Sequence, residues 1–177
     1  WGTLGIRASS CRRTAASTRT SVGATTQNLL LRSEEFDSAT WTKSTAATTI
    51  TANQVANPIN GAVTADLMSD SVDGSSINHY VLQAPSPAQT TGTVYTMSVY
   101  VKANGVTWMH LNNNGNGQAY FDLSTGAKGT ATGTSSISST IDAVPGQSGW
   151  YRVSMTYKAT GQAMLIWMNS SNGGVAY

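Results

Sequence analysis

Polar and apolar residues alternate with a period of two through most of the second half of the chain. Residues 93–102 set Tyr95, Met97, Val99 and Val101 against Thr96, Ser98, Tyr100 and Lys102. A strand sends successive side chains to opposite sides, so this pattern predicts a strand with one buried face. The same reading gives strands over 106–112, 118–123, 135–142 and 150–159. Residues 164–168 are apolar on both faces, which predicts a central strand. Asn104-Gly105 is a strong hairpin signal. The first half is fainter: 62–68 and 78–83 read as strands, 48–52 alternates weakly, and Pro58-Ile59-Asn60-Gly61 supplies a turn. Helical periodicity is confined to one turn near 33–38. Short strands spaced about ten residues apart predict an all-β fold, an antiparallel jelly-roll β-sandwich.

Residues 1–27 break this pattern. They hold Arg7, Arg12, Arg13 and Arg19, no acid, and a run of Ser, Thr, Ala and Gly; their large apolar residues are Trp1, Leu4, Ile6 and Val22. Alone, such a segment buries too little surface to offset the entropy of ordering it. The reading is an extended basic arm, with Trp1, Arg7, Arg12, Arg13 and Arg19 docking on a partner chain, and a sandwich over 28–177. The alternative is an arm lying along its own domain.

Composition narrows the function classes. Charged residues make up 10% of the 177, against roughly 25% in a typical soluble domain. Ser and Thr take their place, 47 in all. A net charge of +2 is too weak to mark a nucleic-acid binder, and no apolar run approaches the roughly 18–20 residues of a membrane span. The lone Cys11 excludes an internal disulfide and a Cys-based zinc site. No secretory leader is visible. The charge is uneven: residues 1–32 carry +5 and residues 33–177 carry −3.

Candidate chemistry is sparse. His79 and His110 are the only histidines, and neither is paired in sequence with a nucleophile. No G-x-S-x-G elbow occurs. Glu34-Glu35 could imitate a carboxylate pair, but adjacent side chains diverge, and a cap or solvated turn is the better reading. Asp70-x-x-Asp73-Gly74 lacks the ligand spacing of a calcium loop, so no metal or cofactor is expected; a lone structural Ca²⁺ held by loop carbonyls would leave no mark in sequence. Asn169-Ser170-Ser171 fits the glycosylation sequon.

The alternation does point to one surface. If the apolar sets face the core, then Tyr100, Trp108, His110, Asn112, Gln118 and Tyr120 lie on one outer face, provided their strands share a sheet. Aromatic rings stack on the C–H faces of sugars, and amides exchange hydrogen bonds with hydroxyls. The competing explanation is a neighbouring subunit covering that face, because Tyr and Trp are equally enriched at protein interfaces.

Asn28-Leu29-Leu30-Leu31-Arg32-Ser33-Glu34-Glu35-Phe36, followed by Trp41-Thr42-Lys43, resembles the opening of carbohydrate-binding-module-like jelly-roll domains in tailed-bacteriophage virion proteins. The resemblance continues through Thr64-Ala65-Asp66-Leu67, His79-Tyr80, and the run from Tyr95 to Ala103. It then takes in Tyr120-Phe121-Asp122-Leu123-Ser124-Thr125-Gly126 and Gly149-Trp150-Tyr151-Arg152-Val153-Ser154, and so covers about 28–177. It implies a virion structural protein on a fibre, tail or capsid appendage, displayed on the outer surface and binding rather than catalysing. Its partners would be other virion proteins and copies of itself as a trimer or higher. The second reading is recognition of host polysaccharide through the aromatic face. Such domains continue past a segment like 173–177 into one more strand containing a Trp-Gly; here either the sheet lacks that strand or the sequence stops short of it.

Overall fold

The computed structural model describes residues 3–13, 27–44, 48–70, 78–114, 116–160 and 163–174. Among these residues there is no helix. The strands are β1 (Thr3–Arg13), β2 (Thr42–Lys43), β3 (Thr48–Ala56), β4 (Val63–Asp70), β5 (Tyr80–Gln83), β6 (Val94–Asn104), β7 (Trp108–Asn112), β8 (Gln118–Asp122), β9 (Ala127–Thr132), β10 (Ser136–Ala143), β11 (Trp150–Lys158) and β12 (Met164–Asn169). They form two antiparallel sheets packed as a β-sandwich. The first sheet runs β10-β11-β6-β1-β4-β3 and the second β2-β5-β12-β7-β8-β9.

The inner faces follow the alternation. Met97, Val99 and Val101 of β6 and Val153, Met155 and Tyr157 of β11 point inward from the first sheet. Met109 and Leu111 of β7, Phe121 of β8 and Ile166 of β12 point inward from the second, and all of these are fully buried. Fully burying one such side chain is worth roughly 1.5–3 kcal/mol. β12 lies between β5 and β7, the central position that its two-sided apolar sequence predicts.

Residues 3–13 are not a docking arm. They form β1, an interior strand of the first sheet, paired with β6 along its whole length and with β4 over Thr3–Ile6. Leu4, Ile6 and Cys11 have no exposed surface. The signal is broken because the register shifts between Arg7 and Ser9. Leu4 and Ile6 are buried before this bulge and Cys11 after it, so no single period of two spans the segment. No domain boundary at residue 28 separates these residues from the sandwich. Of the basic residues assigned to the arm, Arg7 belongs to the outer face of β1, and Arg12 and Arg13 are exposed at its end. Trp1 and Arg19 lie outside the described residues.

A second expectation also changes. Asn104-Gly105 does not close a hairpin between paired strands. β6 belongs to the first sheet and β7 to the second, so this turn carries the chain from one sheet to the other. The amide of Val106, just past the turn, donates to the Thr3 carbonyl at 3.3 Å, and its side chain is fully buried.

Residues 28–41 close one end of the sandwich. Phe36 and Trp41 are buried with ring centroids 4.8 Å apart, and the Trp41 indole donates to the Arg32 carbonyl at 3.0 Å. Gln83 satisfies both backbone groups of Leu31, at 2.7 and 2.9 Å. The buried Asp66 carboxylate accepts the amides of Phe36 at 2.9 Å and Asn53 at 3.1 Å. Burial raises the Asp66 pKa above the usual carboxylate value, and those two amide bonds oppose the rise.

Candidate functional site: the two outer faces

The chain crosses between sheets at Asn104-Gly105, so the six predicted face residues divide. Tyr100 is on the outer face of the first sheet. Trp108, His110, Asn112, Gln118 and Tyr120 share the outer face of the second, as alternation within β7 and β8 requires. One outer face for all six requires β6 to share a sheet with β7 and β8, and it does not.

On the second sheet the register builds a ladder of rings. Tyr80 lies opposite Trp167, Trp167 opposite His110, and His110 opposite Tyr120. Their centroids are 4.5, 5.0 and 4.5 Å apart. The rings therefore stand side by side on four adjacent strands and pack on one another, within the range of favourable aromatic contacts. This consumes ring faces that a sugar would need. His110 and Tyr120 are 1% and 2% exposed, while Tyr80, Trp167 and Trp108 are half-buried. Trp108 packs over Gly129 of β9, where an added Cβ would lie 2.8 Å from the indole.

His110 is fixed chemically as well as sterically. Its Nδ1 donates to Asn169 Oδ1 at 2.7 Å, an assignment that follows from the oxygen acceptor. Burial lowers its pKa to about 4, against a smaller opposing effect from Asn169. The ring is neutral at pH 7. The Tyr120 hydroxyl donates to Gln118 Oε1 at 2.9 Å, and burial raises its pKa. Asn112 is buried in the same face. Tyr80 and Trp167, which complete the ladder, are missing from the sequence reading. The outward position of Trp167 in the doubly apolar β12 was the available signal.

The first sheet presents a different surface. Across β11, β6 and β1, Arg152 lies opposite Tyr100 and Tyr100 opposite Arg7. In the next outward-facing row, Ser154 lies opposite Ser98 and Ser98 opposite Ser10. The hydroxyls link across strands. Ser10 and Ser98 are 3.0 Å apart, Thr96 and Thr156 2.9 Å, and Thr140 and Ser154 2.9 Å. Arg152 Nη2 donates to Ser98 Oγ at 3.0 Å. The loop at 28–34 walls one side, making a cleft lined by Ser10, Arg12, Asn28, Ser33, Glu34, Ser98, Tyr100 and Arg152.

The carboxylates near this cleft are engaged. Arg7 Nη2 pairs with Glu34 Oε2 at 2.5 Å, and Arg7 Nη1 donates to the carbonyls of Glu34 and Thr64 at 2.9 Å each. Glu35 pairs with Arg32 at 3.3 Å. The adjacent glutamates thus have separate partners and do not act as a carboxylate pair. His79 is fully buried, and neither ring nitrogen has a partner among the described residues. No group of three or more His, Cys, Asp or Glu side chains among the described residues is arranged to hold a metal.

No protein family and no curated protein matches the chain.

Proposed function

We propose that the chain is a structural and binding module of a tailed-bacteriophage virion, a jelly-roll sandwich displayed on a fibre, tail or capsid appendage. The observation that carries this reading is where its motif residues lie. Phe36, Trp41, Ala65, Met97, Val99, Val101, Phe121 and Val153 all come from the segments that resemble phage appendage domains, and all are buried in one sandwich. Residues 3–13 form a strand of that sandwich.

Two features support binding over catalysis. Glu34, Glu35, Asp66, Asp122 and Asp142 each hold a structural hydrogen bond or ion pair. His110 is buried and neutral, with its Nδ1 proton committed to Asn169. The half-buried stripe of Tyr80, Trp167 and Trp108 suits contact with another copy or another virion protein better than a sugar platform, because its rings already pack on protein.

The test is mass spectrometry of purified particles from the phage encoding the chain, with antibody labelling in the electron microscope. The expected result is the chain in the particle at many copies, labelled on the outside. Its absence from particles that contain the other structural proteins would overturn the reading.

A further inference from the structure

We infer that the free edge of β10 is where this chain pairs with a second copy of itself, strand against strand and antiparallel, so that two six-stranded sheets become one continuous sheet. The inference rests on the strand edges and does not depend on virion membership.

Among the described residues the two open sheets have four edge strands, β10 and β3 in the first and β2 and β9 in the second. An edge strand turns the N–H and C=O of every second residue away from its neighbour. Such a row pairs readily with another strand, so proteins blunt their edges with bulges, lysines, very short strands or covering groups. Three of these four edges are blunted. β2 has two residues. β3 is broken by register shifts between Thr51 and Ala56, with Asn53 at a φ of 58°. β9 is bulged opposite Ala119–Phe121 and carries Lys128, and its Thr130 amide donates to Asn172 Oδ1 at 2.8 Å.

β10 is different. Past one register shift between Ser136 and Ser138, its pairing with β11 is unbroken from Ser138 opposite Thr156 to Ala143 opposite Tyr151. The run Ser138-Ser139-Thr140-Ile141-Asp142-Ala143 holds no Pro and no Lys. Among the described residues its backbone bonds to β11 alone. At about 3.4 Å per residue this is roughly 20 Å of open edge.

The side chains suit a copy of the same strand. A two-fold axis pairs identical strands antiparallel and sets one residue against itself. With Thr140 on the axis, Ser139 meets Ile141 of the other copy, Ser138 meets Asp142 and Ile137 meets Ala143. Asp142, the one charge in the strand, then faces a serine hydroxyl that can donate to it and not a second carboxylate. Ile137, 58% exposed in the single chain, gains an apolar neighbour.

The experiment measures the mass of the whole chain by sedimentation equilibrium over a concentration series. Wild type should rise from 18.5 kDa towards twice that value. Thr140 is exposed, so Thr140→Lys should keep the fold, and by opposing two ammonium groups on the axis it should weaken dimerisation about fivefold or more. Thr140→Cys gives a second measurement. Directly opposite Cβ atoms lie about 5 Å apart, so a short thiol-to-thiol cross-linker should join two copies through residue 140, while native Cys11 is buried. Thr49→Cys, exposed on the blunted β3 edge, should not cross-link. A wild type that stays at 18.5 kDa leaves β10 to a strand of some other protein and overturns the inference. So does a folded Thr140→Lys chain that dimerises as wild type does, or a Thr49→Cys chain that cross-links as fast as Thr140→Cys.

Discussion

Acidification should destabilise this protein through His110. The ring is 1% exposed, and burial lowers its pKa from 6.5 to about 4. The unfolded chain therefore binds a proton between those two values that the folded chain refuses. Stability from this group is complete above pH 6.5 and is lost as pH falls through about 4. At about 1.4 kcal/mol per pKa unit, the loss from pH 7 to pH 4 is roughly 3 kcal/mol. Asp66, whose pKa is raised by burial, acts in the opposite sense and is favoured by acid. A comparison with His110→Phe cancels that background, because Phe keeps a ring in the ladder and has nothing to titrate. The variant leaves Asn169 Oδ1 without its donor, which costs about 1–3 kcal/mol at every pH. The assay is urea unfolding of both proteins across pH 4–7.5. Wild type should lose roughly 3 kcal/mol more than the variant across that range. Parallel curves, or an NMR titration placing His110 near 6.5, would refute the reasoning.

Leu4→Ala or Ile6→Ala should each cost about 2–5 kcal/mol in denaturant unfolding, as for a core position; a loss under about 0.5 kcal/mol would restore residues 3–13 to a peripheral arm. Gly129→Ala places a methyl 2.5 Å from Asn172 Oδ1 and 2.8 Å from the Trp108 ring, so it should destabilise by about 1–3 kcal/mol and shift tryptophan fluorescence. An unchanged spectrum and stability would show that this packing is loose. Burial pushes the Cys11 thiol pKa up, more than its hydrogen bonds with Tyr157 and Gln89 lower it. A thiol reagent should therefore label it at the rate of unfolding, and faster labelling of native protein would contradict its burial.

In the second half, β6, β7, β8, β11 and β12 are legible because a run of apolar residues or an apolar alternation marks each of them. The apolar alternate positions Met109 and Leu111 of β7, Ala119 and Phe121 of β8, and Val153, Met155 and Tyr157 of β11 are all fully buried, and β12 is apolar on both sides as a central strand should be. β1 and β3 are faint because register shifts break their alternation, between Arg7 and Ser9 in one and between Thr51 and Val55 in the other. β9, Ala127–Thr132, is an exposed edge strand of small and polar residues and carries no hydrophobic signal at all. Side-chain direction within each strand was readable, but sheet membership was not. An Asn-Gly turn fixes a local reversal, and whether the next strand pairs with the last depends on packing far away in sequence. Alternation alone therefore groups Tyr100 with residues of the other sheet and gives no sign of the Arg152–Tyr100–Arg7 row.

The charge boundary near residue 28 also takes on a spatial meaning. Five bases precede the first acid in sequence, which suggests a basic segment seeking a partner elsewhere. In the fold, β1 lays Arg7 against Glu34, so the basic segment and the acids that follow it meet across a seam within the sandwich. The two partners contribute unequally. Glu34 has a side chain 53% exposed, and an ion pair there is worth under about 1 kcal/mol after screening. Arg7 is 13% exposed and also satisfies the carbonyls of Glu34 and Thr64. Its removal strips donors from both and opens packing along its aliphatic stem. A double-mutant cycle of Arg7→Ala and Glu34→Ala should give a coupling below about 1 kcal/mol, with Arg7→Ala costing about 2–3 kcal/mol and Glu34→Ala much less. Equal costs for the two single variants would mean that the ion pair, and not the carbonyl bonds, fastens β1 to the loop.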